Sequence, residues 1–468
     1  ALYRLHVSNY SPIDNPYIIQ INDIEASDGQ EYHLLDNEIR FEIINLKPKE
    51  YCFIDFLSLS TPKSLPILSH IAVDRGTDVF SNNTIIIIQH LLSDAVHLIE
   101  TIHERGADKE AFFILGIPYS TKLPVVKYLV KKGYKRIITP LDYPFEAEVE
   151  TLVNEAINYS KETHKKIVII EDGGYIVPIL HEKFREYLNI VLGAVEQTAN
   201  GIWRDKELIA DVGIDYGIPI INVAESNIKK EFESPLIGKA IRKNLELLFN
   251  KTFSDISSKD IGLVGYGATG AEIARQLILI DSKLTIFDSK QERRNEAKES
   301  GYKVASSLQE LVSSNDIIIE ATGRYWYPKE QEYDMLHVLS SFKHNSYYLS
   351  ASSKKLGINH NYFLKMIDAG RIFNIPGFGK RYKLIRDRKE ITLIADGFPI
   401  NFFIGESVPD KSIDFIIALL YKCAEIIALN PGHIEKGIID INNAENDKWG
   451  FNHAQQTIRT LDELYNRG

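Results

Sequence analysis

The segment that most restricts how this 468-residue chain can fold lies near its middle. There Ile261-Gly262-Leu263-Val264 leads into Gly265-Tyr266-Gly267-Ala268-Thr269-Gly270 and then into the helical stretch Ala271 to Leu279. The glycine pattern has a short buried strand before it and a helix after it, the context in which backbone N–H groups at a helix start meet a pyrophosphate. A Cβ at Gly265, Gly267 or Gly270 would block either the turn or the phosphate, and Ala268 and Thr269 open the helix beside it. The next strand, Lys283 to Phe287, ends at Asp288, about 20 residues beyond the first glycine, where a carboxylate accepts hydrogen bonds from the ribose hydroxyls of NAD and repels the extra phosphate of NADP. Arg293 and Arg294 could serve that phosphate but lie further down the chain, so NAD is the expected cofactor. A later strand, Asp316 to Ile319, ends in Glu320-Ala321-Thr322-Gly323, where small residues again let the cofactor approach the sheet. The alternative is a tight strand-to-helix turn that holds nothing; the acidic residue in register argues against it.

A chain of this length exceeds one hydrophobic core. From about residue 66 strands alternate with helices: Thr84 to Ile88 leads into a helix to His103, Ala111 to Leu115 into Leu123 to Lys132, and Arg136 to Thr139 into Glu146 to Lys161. Such alternation predicts an α/β fold of doubly wound parallel sheets, a Rossmann NAD-binding domain plus a Rossmann-like substrate domain. The expected boundaries are a small β-rich accessory element over 1–65, a substrate domain over 66–238, the dinucleotide domain over 239–400, a return helix to the substrate domain over 401–440 and a tail over 441–468. Short strands are expected at Ile18 to Ile21, Ile39 to Ile44 and Tyr51 to Phe56 in the accessory element.

Charge and apolar patterning narrow the partners. Lys and Arg number 54 against 64 Asp and Glu, a net charge of −10 that disfavours nonspecific attraction to nucleic acid or an anionic membrane and leaves a small molecule as the expected ligand. The apolar runs stop short of the about 18 residues that a membrane span needs. Two distant cysteines, Cys52 and Cys423, argue against a disulfide framework, and the cytoplasm is the expected location. No histidine spacing suggests a metal site; His97 and His103, for example, do not face alike on a helix.

A second site of interest is the strand Lys166 to Ile170, which ends in Glu171-Asp172-Gly173-Gly174. Ligands of open α/β sheets sit at such carboxyl ends, although Asp172 could simply cap the glycine turn. Further motifs follow in order: Gln89-His90-Leu91, Tyr119-Ser120-Thr121, Gly193-Ala194-Val195-Glu196-Gln197-Thr198, Ile221-Asn222-Val223 with Lys229 and Phe232, and Ala395-Asp396-Gly397 with Asn401. Together with the glycine loop and Ala321-Thr322-Gly323, this series resembles the adenosylhomocysteinases from about residue 80 to residue 430.

The resemblance implies a reaction in which NAD+ oxidises a ribose 3′-hydroxyl to a ketone, acidifying the neighbouring C4′ hydrogen; a base removes it, the 5′-thiol leaves, water adds and the hydride returns. It implies that His90 and Asp172 act as acid/base groups, that Lys229 lies next to the hydroxyl being oxidised, and that Glu233, where the family has an aspartate, assists the lysine. It also implies that Gln197, in place of a glutamate, contacts ribose hydroxyls, and that Thr198, Asn200 and Asn401 touch the nicotinamide half of the cofactor. A homo-oligomer, dimer or tetramer, is implied as well. Lys229 and Glu233, one helical turn apart, could alternatively be a solvated ion pair.

This chain departs from the family in telling places. Leu92 and Asp94 stand on the adenine side in place of a threonine and a Glu or Gln, and the loop there reads Ser120-Thr121-Lys122-Leu123. Two family histidines are replaced, one in the stretch Ser350-Ala351-Ser352-Ser353 and one by Val408, and the family's C-terminal Lys and Tyr are not recognisable. Groups that oxidise a carbinol survive better than groups that recognise adenine, which leads to the expectation of an enzyme with an altered substrate, whose pocket includes Leu92, Asp94, Ser120, Thr121, Gln197 and Ser353. A plain NAD-dependent dehydrogenase and a non-catalytic NAD-binding regulator are the alternatives.

Overall fold

The computed structural model describes residues 65–73, 78–140, 144–213, 215–252, 256–280, 283–323, 326–327, 332–351, 367–375, 379–384, 389–402, 410–445 and 447–462, with three N-terminal strands besides. Those strands, β1 (Tyr3–Val7), β2 (Ile21–Ala26) and β3 (Glu31–Tyr32), form an antiparallel sheet. The expected strands at 39–44 and 51–56 lie outside the described residues.

Two larger sheets follow. The first is built from β4 (Asn83–Gln89), β5 (Phe112–Gly116), β6 (Arg136–Ile138), β7 (Lys166–Glu171), β8 (Val191–Glu196) and β9 (Pro219–Asn222). The second is built from β10 (Asp260–Val264), β11 (Lys283–Phe287), β12 (Lys303–Val304), β13 (Ile317–Glu320), β14 (Ser346–Ser350), β15 (Ile367–Ile375), β16 (Gly379–Leu384) and β17 (Glu390–Ile394). A last strand, β18 (Gly437–Asp440), returns to the first sheet, whose order is β18-β9-β8-β7-β4-β5-β6 with parallel neighbours throughout.

The sequence Asn83-Thr84-Ile85-Ile86-Ile87-Ile88-Gln89 shows why the first sheet is central. Side chains of a strand alternate between faces, and here Ile86 and Ile88 enter one core layer while Ile85 and Ile87 enter the other, all fully buried. Each such isoleucine contributes about 2 kcal/mol by leaving water. Helices therefore cover both faces, the arrangement expected of a parallel sheet.

The second sheet has the order β12-β11-β10-β13-β14-β17-β16-β15. It is parallel from β12 to β17, as the doubly wound reading expects, and β16 and β15 run antiparallel at one edge. The 379–384 and 390–394 segments are joined by a connection too short for a crossover helix, and a short link returns the chain antiparallel.

The helix Ser234–Thr252 crosses the expected boundary at 238 and lies on the helix Ala268–Ile278. Gly238 permits the close approach, since a Cβ there would stand 2.9 Å from the Glu272 backbone. Ile241, Leu245 and Phe249 of this helix join the cores of the two sheets into one apolar cluster with Ile86 and Leu263. The helix Asp410–Leu429 packs on the helix Pro66–Ala72, and the carboxylate of Asp414 accepts the N–H groups of Ile67 (2.8 Å) and Leu68 (2.9 Å), capping that helix from a distant part of the chain. Residues 437–460, expected as return segment and tail, instead supply β18 and the helix Phe451–Thr460, whose Phe451, Ala454 and Ile458 are buried. Among the described residues no helix is long and apolar enough to cross a membrane.

Candidate active site

Both large sheets have a point where the direction of strand addition reverses. In the first sheet the chain builds β4, β5, β6 outward and then begins again with β7 on the other side of β4; in the second it builds β10, β11, β12 and restarts with β13 beside β10. Crevices open at the carboxyl ends of such strand pairs. The two crevices border one cavity of about 490 Å³.

His90 follows β4 and Asp172 follows β7, so they meet at the first reversal. His90 Nε2 lies 3.4 Å from Asp172 Oδ2, and Nδ1 lies 2.5 Å from the Ser120 hydroxyl. Burial, with the Lys229 charge adding to it, lowers the His90 imidazole to about 3, so the ring is neutral near pH 7. Its proton then sits on Nε2 toward Asp172 if the Ser120 hydroxyl donates to Nδ1, the shorter of that hydroxyl's two contacts. Burial pushes the Asp172 carboxyl up to about 7, with Glu233 and Glu171 adding to the rise and Lys229 opposing it.

Lys229 lies on the short helix Asn227–Phe232 after β9, whose start is capped by the Ser226 hydroxyl accepting the Lys229 N–H at 3.1 Å. Its Nζ donates to the Gln197 carbonyl (2.5 Å) and lies 3.2 Å from Glu233 Oε2. Gln197 is held in turn by Gln89, whose Nε2 donates to Gln197 Oε1 at 2.8 Å. The Lys229–Glu233 pair is thus not solvated: both side chains are mostly buried and face the cavity.

Beneath these groups lies a dense carboxylate layer. Glu196 accepts the N–H groups of Gly173 (3.0 Å) and Gly174 (2.9 Å), and the N–H (2.6 Å) and hydroxyl (2.7 Å) of Thr198, so it pins the turn that carries Asp172. Glu171 Oε2 accepts the N–H groups of Tyr175 and Ile176 at 2.8 Å each. Asp205, on the helix Ala199–Val212, has both carboxylate oxygens buried without a hydrogen-bond partner. Burial first raises all three carboxyls; the Glu196 charge adds to it at Glu171, the Glu171 and Glu196 charges at Asp205, and the Asp172 charge at Glu196.

On the dinucleotide side, Gly265 has φ +101°, and a Cβ at Gly270 would stand 2.1 Å from the Gly265 carbonyl oxygen. Both glycines serve the turn behind the cavity wall, whereas Gly267, Ala268 and Thr269 line it. A Cβ at Gly267 would meet nothing within 4 Å, and the helix Ala268–Ile278 has no side-chain cap on its first N–H groups. This open cradle of uncapped donors fits a diphosphate. Asp288 stands outside the cavity lining at the end of β11; Oδ2 accepts the Tyr266 N–H at 2.7 Å and Oδ1 the Lys290 N–H at 2.8 Å. Its carboxylate therefore braces the glycine loop.

Of the other expected site residues, Leu92, Asp94, Gln197, Thr198, Asn200, Thr322, Gly323 and Asn401 line the cavity. Ser120 is buried behind His90, and the Thr121 hydroxyl donates to the Ile117 carbonyl at 2.9 Å, so neither lines it. Ser353 and Val408 lie outside the described residues. Sequence reasoning missed two aromatic walls, Phe402 and Trp203, and gave Tyr119 no role. The Phe402 ring lies 4.2 Å from the His90 ring, Tyr119 packs on both, and Trp203 reaches across to Gly323, where a Cβ would come within 3.8 Å of its ring. Trp203 lies one turn beyond Asn200 on the same helix, and that spacing could have revealed it. Among the described residues no cluster of His, Cys, Asp and Glu is disposed to hold a metal ion.

Residues 242–324 match the family model described as "D-isomer specific 2-hydroxyacid dehydrogenase, NAD binding domain". Over most of its length the chain is similar to curated relatives. An adenosylhomocysteinase of Pyrococcus abyssi is 25% identical over 393 residues, covering 84% of this chain and 87% of the relative. An S-inosyl-L-homocysteine hydrolase of Methanococcus maripaludis is 24% identical over 408 residues, covering 86% and 91%. An adenosylhomocysteinase of a Nostoc species is 22% identical over 381 residues, covering 81% and 84%. With a glycine loop that fits a dinucleotide and similarity to these enzymes over most of its length, this chain resembles the adenosylhomocysteinases as a divergent relative, and NAD is its cofactor.

Proposed function

We propose that the enzyme transiently oxidises a secondary hydroxyl of a nucleoside- or sugar-like substrate and promotes elimination or hydrolysis beside it, with a substrate other than adenosylhomocysteine. The observation that carries this reading is convergence: His90, Asp172 and the Lys229–Glu233 pair, from three strand ends, share one cavity with the Gly267 loop and with Thr322 and Gly323. NAD, when bound, supplies a hydride acceptor that can give the hydride back.

The chain's own groups supply the rest. The Lys229 ammonium has one N–H committed to the Gln197 carbonyl and another directed at Glu233, which leaves a donor for a substrate oxygen. Asp172, with its carboxyl near 7, is suited to taking a proton from a carbon next to a carbonyl and returning it. Neutral His90 holds that carboxyl in place through Nε2 while its Nδ1 accepts the Ser120 hydroxyl. With two family histidines replaced, proton transfer falls on His90 and Asp172. Leu92 and Asp94 replace the groups of the adenine side, which supports the altered specificity.

The test is to incubate NAD-loaded protein with homocysteine thioethers of adenosine, inosine and other nucleosides while following free thiol and NADH absorbance. Thiol release from a thioether other than adenosine's, without net NADH, is expected. Robust condensation of adenosine with homocysteine would overturn the altered specificity. A second reading, a plain dehydrogenase, draws support from the match of residues 242–324; NADH accumulating in proportion to substrate would establish it. The assembly that goes with the main reading is a cytoplasmic homo-oligomer, which sedimentation of the purified protein checks.

A further inference from the structure

One buried carboxylate facing the dinucleotide site has no part in this chemistry. Glu320 ends β13 and is fully buried. Its Oε1 accepts the backbone N–H (3.1 Å) and the hydroxyl (2.6 Å) of Thr322, and its Oε2 accepts the Ser350 hydroxyl at 3.3 Å. A backbone N–H can only donate, so Oε1 is an acceptor, and the Thr322 hydroxyl directs its proton to it. Ala321, Thr322 and Ala351 line the cavity, which places the carboxylate just beneath its floor.

The strand order decides which part of the cofactor lies above that floor. Asp288 ends β11 on one side of β10, and β13 and β14 lie on the other. A dinucleotide gripped at its diphosphate by the loop after β10, with its adenosine ribose toward Asp288, extends its nicotinamide half over β13 and β14. That is also the side of the cavity on which Asn200 and Trp203 meet Gly323.

The nicotinamide ring is a cation when oxidised and neutral when reduced. An anion buried below it acts through protein rather than through water, where screening would weaken it. We infer that Glu320 sets the redox preference of the site: it favours NAD+ over NADH and so keeps the cofactor oxidised while no substrate is bound. Glu320 is a positioning residue in this role, because it acts through Thr322 and through its charge without touching the reacting atoms. The inference rests on NAD occupying this domain in the orientation just given.

The experiment measures dissociation constants of NAD+ and NADH for cofactor-stripped protein, by calorimetry or quenching of tryptophan fluorescence, in the wild type, Glu320→Gln and Thr322→Val. Glu320→Gln keeps the shape but removes the charge. It is expected to weaken NAD+ about tenfold while leaving NADH little changed, raising the potential of the bound couple by about 30 mV. Thr322→Val keeps the charge and is expected to weaken both forms by similar factors. An unchanged NADH-to-NAD+ ratio in folded Glu320→Gln, or an equal shift in Thr322→Val, would overturn the inference. If Glu320→Gln does not fold, Glu320→Thr, a neutral residue suited to a strand end, carries the same expectation. Wild-type protein that binds neither dinucleotide would instead refute the cofactor assignment, so the two failures are distinguishable.

Discussion

At the end of β8, Glu196 accepts both the N–H and the hydroxyl of Thr198, at 2.6 and 2.7 Å; at the end of β13, Glu320 accepts the same two groups of Thr322, at 3.1 and 2.6 Å. Each sheet thus presents a threonine to the cavity from a Glu-x-Thr turn with a fully buried glutamate. The surroundings differ. Glu196 is packed among Glu171, Asp172 and Asp205, whose charges repel one another. Glu320 has the Ser350 hydroxyl on its other oxygen. The same short motif can therefore orient a threonine in either place, while its neighbours decide how densely acids crowd the layer beneath the cavity.

The substitutions that strain this comparison most come on the catalytic side. Asp172→Asn is expected to lower turnover about a thousandfold, within the range ascribed to general acid–base groups, with NAD+ affinity unchanged by titration. Unaltered turnover in this variant would remove Asp172 from the catalytic machinery. In the wild type the rate should rise with pH to a midpoint near 7 as Asp172 loses its proton; a profile flat from pH 6 to 8 would remove Asp172 from the role of base.

A smaller but sharper contrast comes from the glycines beside each turn. A Cβ at Gly201 would stand 2.1 Å from the Glu196 carboxyl carbon, so Gly201→Ala should cost about 3 kcal/mol in a denaturant melt. Gly323 has φ +64° but a Cβ there would meet nothing nearer than 3.7 Å, so Gly323→Ala should cost only about 1 kcal/mol. Equal costs would mean that the two turns are not differently crowded.

Asp205→Leu tests the proton-holding layer from the opposite direction. Because its folded-state carboxyl is raised, Asp205 binds a proton more readily in the folded than in the unfolded chain, and its contribution to stability is lost as pH rises above the ordinary carboxylate range. Replacing a buried, unpartnered carboxylate by an apolar side chain should therefore stabilise the protein at pH 8, by about 2 kcal/mol, and less at pH 5. The smallest effect is expected from His90→Gln on acid stability: His90 is held neutral, so the wild type loses stability as pH falls from 6.5 toward 3, and the variant should lose less over that window in thermal melts.

Much of the fold was legible because its signals are local. The alternation of strand and helix, the glycine loop and the carboxylate ending Lys283–Phe287 follow from contacts within about 30 residues, the reach of one βαβ unit. The expected helix Glu146 to Lys161 is observed as Glu146–Thr163, and the expected strand Lys283 to Phe287 is found at those residues. The C-terminal strand was not legible, because Gly437–Asp440 carries only two apolar residues and is a strand through its pairing with β9. Asp205 reads in sequence as a helix surface charge, and nothing within its own helix reveals the buried acids it faces.

Side-chain size and periodicity along the chain were enough to bring polar residues to the carboxyl ends of parallel strands and to leave one loop with bare backbone donors for a diphosphate. Which strand ends face each other came from the packing of the folded chain. His90 meets Asp172 because β4 pairs directly with β7, although β5 and β6 come between them in the chain, and Trp203 meets Gly323 because the two large sheets border one cavity; such long-range packing is set by the whole core at once, not by any window of residues.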